Sequence, residues 1–440
     1  MNIIQIIPGS GGSFYCGNCL RDSKYVEALR NQGHQVVKVP MYLPLFADEH
    51  DISDIPIFYG AISTYLKQVY PIFRKAPKWF DRMLNSKPMM KLAASQAGST
   101  RAKGLEDMTI SMLLGEQGEQ KEELENMVNW IAEHCKPDVI HLSNALLLGL
   151  AKRLKEKIDV PVLCSLQDED VWVDVMDPAI QDKIWKLMHT RAKDVDVLVA
   201  VSNFYSDVMK KKMELPPEKV QTFYLGVDYE DYRFIPIKEK PRNVGYISRM
   251  CHENGFDIVV DAFIGLKKKP GFDDVKLIAT GGSTGDDAKF IKEQKRKLKE
   301  NDLLQNFEIL PEFGENDIHD FFRQVSMVSV PVRMGEAFGM YLLESMASGV
   351  PVVQPALGAF PEIVEQAGGG VIYSPNSPEI LSNAWAELLN DPEKLEQLSL
   401  AGYNGTKEKF NIHNHAEEII TLYESLQFDS AHYDGGKNSQ

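Results

Sequence analysis

The chain has 440 residues, of which 44% are apolar and 25% charged, and it carries a net charge of −15. At roughly 100–200 residues per domain, that length predicts two or three domains whose cores need no metal or disulfide staple. The acidic balance argues against nucleic acid as a partner. Five cysteines, Cys16, Cys19, Cys135, Cys164 and Cys251, are too few for a secreted disulfide scaffold and suit a reducing cytoplasm; no apolar run is long enough to span a bilayer.

The opening MNIIQIIPGSGG reads as a strand running into a glycine loop rather than as a signal peptide. Short β-rich apolar runs then alternate with helical patterns. Strands are predicted over 2–7, 35–39, 138–143, 161–166, 195–201 and 221–225. Continuous apolar runs such as VLVAV fit strands buried on both faces. One helix is predicted from Asn18 to Gly33, a C-terminal glycine stop. Residues from about 43 to 121 carry amphipathic patterns without a strand series and read as a helical insertion. The charged, proline-containing stretch Asp228–Arg242 reads as a linker. A second strand series follows over 243–248, 275–280, 307–310, 327–331, 350–354 and 370–373. The expected organisation is a Rossmann-like domain over 1–227 and a second α/β domain over 228–411. A helix over 412–427 packs back on the first domain, and a disordered tail covers 428–440. Two doubly wound α/β domains facing a cleft place the ligand at the carboxyl ends of their strands.

The strongest motif is Gly335–Pro351, GEAFGMYLLESMASGVP. A glycine loop after the strand MVSVP leads into a short helix, whose N-terminal amides make an anion site. Glu336 and Glu344 stand eight positions apart. Beside phosphate they would repel, so they suit hydrogen bonds from sugar or ribose hydroxyls. This string resembles the E-x7-E signature of family 4 glycosyltransferases, which have the GT-B fold, and the resemblance runs through ordered motifs over about 1–425. It implies a retaining transferase with a nucleotide-sugar donor, UDP- or GDP-linked, and no required cofactor or metal. It implies Glu336 on donor sugar hydroxyls, the amides of Phe338, Gly339 and Met340 on sugar or phosphate, and Glu344 on the ribose.

The other motifs extend that resemblance. Gly245–Asp257, GYISRMCHENGFD, resembles the family's Arg and Lys pair for the donor diphosphate. Arg249 fits, because a guanidinium forks onto phosphate; position 254 departs from the pattern, being Asn254, and removes one positive charge, for which His252 is a candidate substitute. The loop Gly9–Asp22 is similar to the family's first-domain glycine loop and implies Gly11 and Gly12 at the site. Its Cys16-x-x-Cys19 lacks the second pair that zinc needs and reads as small packing residues. Cys164–Asp170, CSLQDED, ends a strand where the family often has His followed by Asp. Gln167 stands there and can orient hydroxyls but cannot act as a base; Asp168 remains a candidate for acceptor contact or base. Asp168 and Asp170 also spell D-x-D, a metal motif of the other large glycosyltransferase fold, a role the GT-B assignment argues against. His141 and Ser202, at strand ends, are acceptor-side candidates, with a structural role the simpler reading for His141. Gly281 and Gly282 end a second-domain strand where a nucleotide could pass.

Two further readings stand beside the transferase. One is another GT-B enzyme, such as a nucleotide-sugar epimerase or a phosphorylase. The other is a catalytically weak sugar-nucleotide binding protein, suggested by Asn254 and Gln167. Within the acidic total, Lys67–Lys103 holds nine basic residues against Asp81 alone, interleaved with Tyr70, Phe73, Trp79 and Phe80. Such a mix suits peripheral contact with anionic lipid on the inner membrane face, or an anionic lipid-linked acceptor. It equally suits a helical cap whose lysines stay in water. Glycan and small-molecule acceptors also remain open.

Overall fold

A computed structural model describes residues 1–8, 17–41, 104–310 and 315–435. The loop with Gly11 and Gly12, and the basic segment Lys67–Lys103, lie outside the described residues. The described residues of 1–12, 18–224 and 413–440 form one compact unit, and those of 13–17 and 225–412 form another.

The first unit is built on β1 (Asn2–Ile7), β2 (Gln35–Pro40), β3 (Val139–Leu142), β4 (Val162–Leu166), β5 (Val197–Ala200) and β6 (Val220–Thr222). They form one sheet in the order β2-β1-β3-β4-β5-β6, and every pairing is parallel. Ile4 faces Val37 on one side and Ile140 on the other, so β1 is an interior strand. β3, β4 and β5 are buried at every position, which explains their unbroken apolar runs. The helix Gly17–Asn31 links β1 to β2 and ends before Gly33, whose φ of +88° suits only glycine.

The second unit repeats the scheme with β7 (Val244–Ile247), β8 (Leu277–Thr280), β9 (Phe307–Ile309), β10 (Met327–Val328), β11 (Val352–Pro355) and β12 (Gly370–Tyr373). Their order is β12-β11-β10-β7-β8-β9, again all parallel. β10 is shorter than its apolar run: Ser329 N still reaches Gly245 O at 3.0 Å, but Val330 N donates to the Gln354 side chain at 3.2 Å instead of to a neighbouring strand's backbone.

Two sequence expectations are corrected. The stretch Asp228–Arg242 is fastened to the second unit rather than loose. It contains single turns at Tyr229–Asp231 and Ile237–Glu239, and Phe234 packs on Tyr403 with ring centroids 4.8 Å apart. Lys240, buried, donates to Phe322 O at 2.8 Å and Ser348 O at 3.1 Å; burial pushes its amine down to about 7. The last helix runs Ile412–Gly435, past the point where a disordered tail was expected. No proline interrupts it before the glycine pair at 435 and 436.

That helix is tied to the first sheet. His141 Nδ1 lies 2.6 Å from the Tyr423 hydroxyl, and the rings meet edge to face. Gln427 Nε2 donates to Asp138 O at 3.0 Å, and Gln32 Nε2 donates to His413 O at 2.8 Å. Tyr423→Phe keeps the packing but takes the hydroxyl from a buried ring nitrogen. Urea unfolding is expected to show a loss of about 1–3 kcal/mol; an unchanged midpoint would remove this contact from the stability of the unit.

Candidate functional site

In the second unit the strand order reverses between β7 and β10, because the chain leaves β7 toward β8 and returns to its other side. Such switch points leave a crevice at the carboxyl ends of the two strands. Arg249 follows β7 there, and the chain after β10 leads to Gly335–Gly339 and the helix Met340–Ala347.

Two glycines fix Glu336. Gly335 has φ +80° and Gly358 has φ +59°. A Cβ at Gly335 would come within 2.5 Å of Gly358 N, and one at Gly358 within 2.5 Å of Glu336 N. The two loops therefore cross backbone to backbone, and Ala359 N donates to Glu336 O at 3.0 Å. The Glu336 side chain lies against Gly339, with Oε2 3.3 Å from where a Cβ would sit. Gly339, at φ +91°, opens the helix, so the first-turn amides and the carboxylate stand together. Phe338 and Met340 are buried on either side of it.

Arg249 meets a carboxylate where phosphate was expected. Its Nε and Nη2 each donate to Asp287 at 2.8 Å, and Nη2 also donates to Thr284 Oγ1 at 3.1 Å. Thr284 N and Oγ1 donate to Asp287 Oδ2 at 2.7 and 2.8 Å. Burial raises the Asp287 carboxyl, but the bonds from Arg249 and Thr284 outweigh it and hold the group below the usual range. The bond to Asp287 in turn raises the guanidinium. Thr284 and Asp287 follow Gly281 and Gly282, whose φ values of +110° and +75° turn the chain off β8. Asn254 donates through Nδ2 to Ser248 Oγ at 2.8 Å, bracing the loop after β7. Arg333 adds a cation that the sequence reading passed over: it donates to His252 O at 3.0 Å and to Asp257 Oδ2 at 2.6 Å.

Glu344, in the helix Met340–Ala347, is fully buried. Its Oε1 accepts the Tyr232 hydroxyl at 3.1 Å.

In the first unit the strand ends are gathered by a residue outside the predicted set. Glu169 is 1% exposed; its Oε1 accepts Ala145 N at 2.8 Å, and its Oε2 accepts Gln167 N at 2.7 Å and the Tyr205 hydroxyl at 2.8 Å. One carboxyl thus joins the segments after β3 and β4 to the helix Asn203–Lys212 after β5. The Tyr205 hydroxyl also lies 2.9 Å from Asp170 Oδ1. A phenol has one proton, so both contacts hold at once only when a carboxyl supplies another. Burial pushes Glu169 up to about 7 against the lowering by its donors, which is consistent with a proton resident there.

Gln167 is buried, and its Nε2 donates to Ser143 O at 2.5 Å, while Oε1 has no hydrogen-bond partner. Asp168 has φ +55°, a left-handed turn that ends the strand segment. His141 is engaged at both nitrogens, by Tyr423 and by Ser165 Oγ at 2.9 Å, and Ser202 caps its helix by accepting Tyr205 N at 3.1 Å. These two are structural supports in this geometry. Threonine three residues before an acid, Thr284 and Asp287, was a readable sequence signal; nothing in the sequence singled out Tyr232 or Tyr205.

Taken with two parallel sheets that each reverse at a first strand, this arrangement defines a two-unit α/β protein of the GT-B fold. Structural likeness agrees: sucrose-phosphate synthase from Thermosynechococcus elongatus matches 96% of this chain and 98% of its own, at TM-score 0.70 and 16% identity. Anabaena HepE, solved in complex with UDP, matches 97% and 100% at TM-score 0.67 and 17% identity. The family model "Glycosyl transferases group 1" matches residues 228–405, and "Glycosyltransferase Family 4" matches 121–231. The two models adjoin along the chain, and the chain resembles the family 4 glycosyltransferases. Among relatives, the lipopolysaccharide core biosynthesis mannosyltransferase LpsB of Rhizobium meliloti is 33% identical over 42% of this chain and 51% of its own, so the match spans about half of that protein. An uncharacterised glycosyltransferase of Methanocaldococcus jannaschii is 27% identical over 66% of this chain and 76% of its own.

The raised Glu169 carboxyl has a signed consequence. Between the ordinary glutamate range and about 7, the unfolded chain is ionised there while the folded chain keeps its proton. Stability from this group is therefore full at low pH and lost as pH rises through that window, by up to about 3 kcal/mol. Glu169→Gln is expected to flatten this part of the pH–stability curve in denaturant titrations. Parallel curves for the two proteins would count against the assignment.

Proposed function

We propose that the protein is a retaining glycosyltransferase that moves a sugar from a UDP- or GDP-linked donor to a glycan, lipid-linked or small-molecule acceptor. The observation that carries this reading is the Glu336 carboxylate set beside Gly339, the residue that opens the helix Met340–Ala347, at the switch point of the second sheet. Glu336 accepts hydroxyls of the donor sugar, Glu344 those of the ribose, and the amides of Phe338, Gly339 and Met340 face the phosphates. Gly281 and Gly282, at the end of β8, lie on the proposed path of the nucleotide. Charge that builds on the leaving diphosphate is stabilised by fixed N–H dipoles and by Arg249.

The transfer proceeds on one face of the sugar and needs no metal. The acceptor oxygen bonds to the anomeric carbon as the bond from that carbon to the phosphate oxygen breaks. The electron pair stays on the diphosphate, and that oxygen takes the acceptor proton. Gln167, with no basic group, supports this route, since it orients a hydroxyl but removes no proton. Asp168 is a side-chain candidate for acceptor contact or base, His141 and Ser202 are acceptor-side candidates, and Gly11 and Gly12 are proposed at the donor from sequence.

Asn254 and the Arg249–Asp287 pair favour a second reading, a sugar-nucleotide binding protein of low turnover, because together they lower the positive charge offered to a diphosphate. The cytoplasm is the proposed compartment, consistent with free Cys135, Cys164 and Cys251. Among the described residues no helix is long and apolar enough to cross a membrane. Peripheral contact through Lys67–Lys103 is proposed from sequence alone.

Calorimetry with nucleoside diphosphates, with and without magnesium, is expected to show binding in both conditions; no binding in either overturns the donor site. With a donor in hand, Glu336→Ala and Arg249→Ala are each expected to lower kcat/KM by about 2–3 kcal/mol of transition-state stabilisation. Near-normal rates in both would take these residues out of the reaction, and undetectable turnover in the unmodified protein would favour the binding reading.

A further inference from the structure

Glu344 is placed so that nothing reaches it without moving chain atoms. It is 0% exposed, and its Oε1 is held by the Tyr232 hydroxyl at 3.1 Å. Burial and the neighbouring Glu344 charge push the Tyr232 phenol well above its ordinary range, so it remains a hydrogen-bond donor at any working pH. The phenol thus offers this carboxylate what a ribose offers, a neutral O–H.

The backbone around Tyr232 is anchored on both sides. Before it, Asp228 caps the turn Tyr229–Asp231 by accepting Glu230 N at 3.1 Å, and the Lys407 ammonium sits 5.1 Å above the Tyr229 ring. Tyr232 N itself closes that turn on Tyr229 O at 3.2 Å. After it, Phe234 packs on Tyr403 and against Gly349, where a Cβ would come within 2.7 Å of its ring. Tyr232 itself is only half-buried, with its ring edge toward His319 at 6.2 Å. The chain path at Tyr232 is thus fixed on both sides, and its hydroxyl is held by Glu344.

We infer that Tyr232 sets the donor site's selectivity for ribose: its hydroxyl holds the Glu344 oxygen that a ribose hydroxyl takes, so nucleotide binding exchanges one O–H for another. This rests on the donor-site reading above and deepens it. An exchange of equivalent donors gains little, so the missing hydroxyl of a deoxynucleotide costs little while the tyrosine stays in place. Without the phenol, the ribose hydroxyl supplies a bond that the tyrosine no longer offers, and a deoxynucleotide that lacks it binds more weakly.

The test compares UDP and GDP with their 2′-deoxy and 3′-deoxy forms, by calorimetry, on the unmodified protein and on Tyr232→Phe. The unmodified protein is expected to favour the ribonucleotide by no more than about threefold, and Tyr232→Phe by about tenfold or more, since 1.4 kcal/mol is a factor of ten. A packing role alone would weaken ribo and deoxy forms by the same factor, and an unchanged ratio overturns the inference. A ratio of tenfold or more in the unmodified protein overturns it too, and settles the matter even if Tyr232→Phe fails to fold. Failure of every diphosphate to bind the unmodified protein removes the donor site itself and this inference with it, an outcome distinct from an unchanged ratio.

Discussion

A parallel sheet has to be covered on both faces, and every strand must be reached by a crossover from the far end. In both units the first strand of the series is interior, β1 between β2 and β3, and β7 between β8 and β10. The chain must therefore leave each of these strands to one side and later return to the other. At that point adjacent connections diverge, and the carboxyl ends are left uncovered by helix. The second unit fills its uncovered end with glycine turns and short loops. Glu336, Arg249 and the start of Met340–Ala347 are all consequences of where the sheet reverses.

Carboxylates withdrawn from water organise both strand-end regions. Asp287 holds Arg249 and Thr284, Glu344 holds Tyr232, and Glu169 holds the backbone after β3 and β4. A buried carboxylate is costly unless it is bonded, and each of these is. The three differ in what offsets the cost. Asp287 has a formal cation and is held ionised. Glu169 has only neutral donors, and its carboxyl is raised to about 7. Glu344 stands beside a phenol, a partner that can give way to another hydroxyl.

The fold was legible because its signals are local. Buried parallel strands write continuous apolar runs, and Gly33 marks a helix end by its left-handed backbone. The E-x7-E string was legible because loop, helix start and both acids fall within one short segment. Tertiary partners were not. Arg249 reads as a phosphate ligand until Asp287, far along the chain, is seen to fork onto it. For His141 a structural role was the simpler reading, but its partners Tyr423 and Ser165 were not legible. Tyr232 sits in a stretch whose charge and proline suggested a linker, and only its contact with Glu344 gives it meaning. The mismatch at the carboxyl terminus has a plainer cause: polar composition weakens a burial signal but does not forbid a helix.

The route of the last helix carries a consequence for synthesis. The sheet of the second unit is built from one stretch of sequence, whereas the first unit is closed by residues that follow that stretch, with Tyr423 completing a cluster begun by His141 and Ser165. On the ribosome, at about 5–20 residues per second, the first sheet waits roughly 10–40 s for that helix to appear. During this interval the seat of Tyr423 stands uncovered and its histidine faces water. The later-made unit has all of its strands before the earlier-made one is finished. The order of completion is thus the reverse of the order of synthesis, and the nascent first sheet is where a chaperone would find apolar surface to hold.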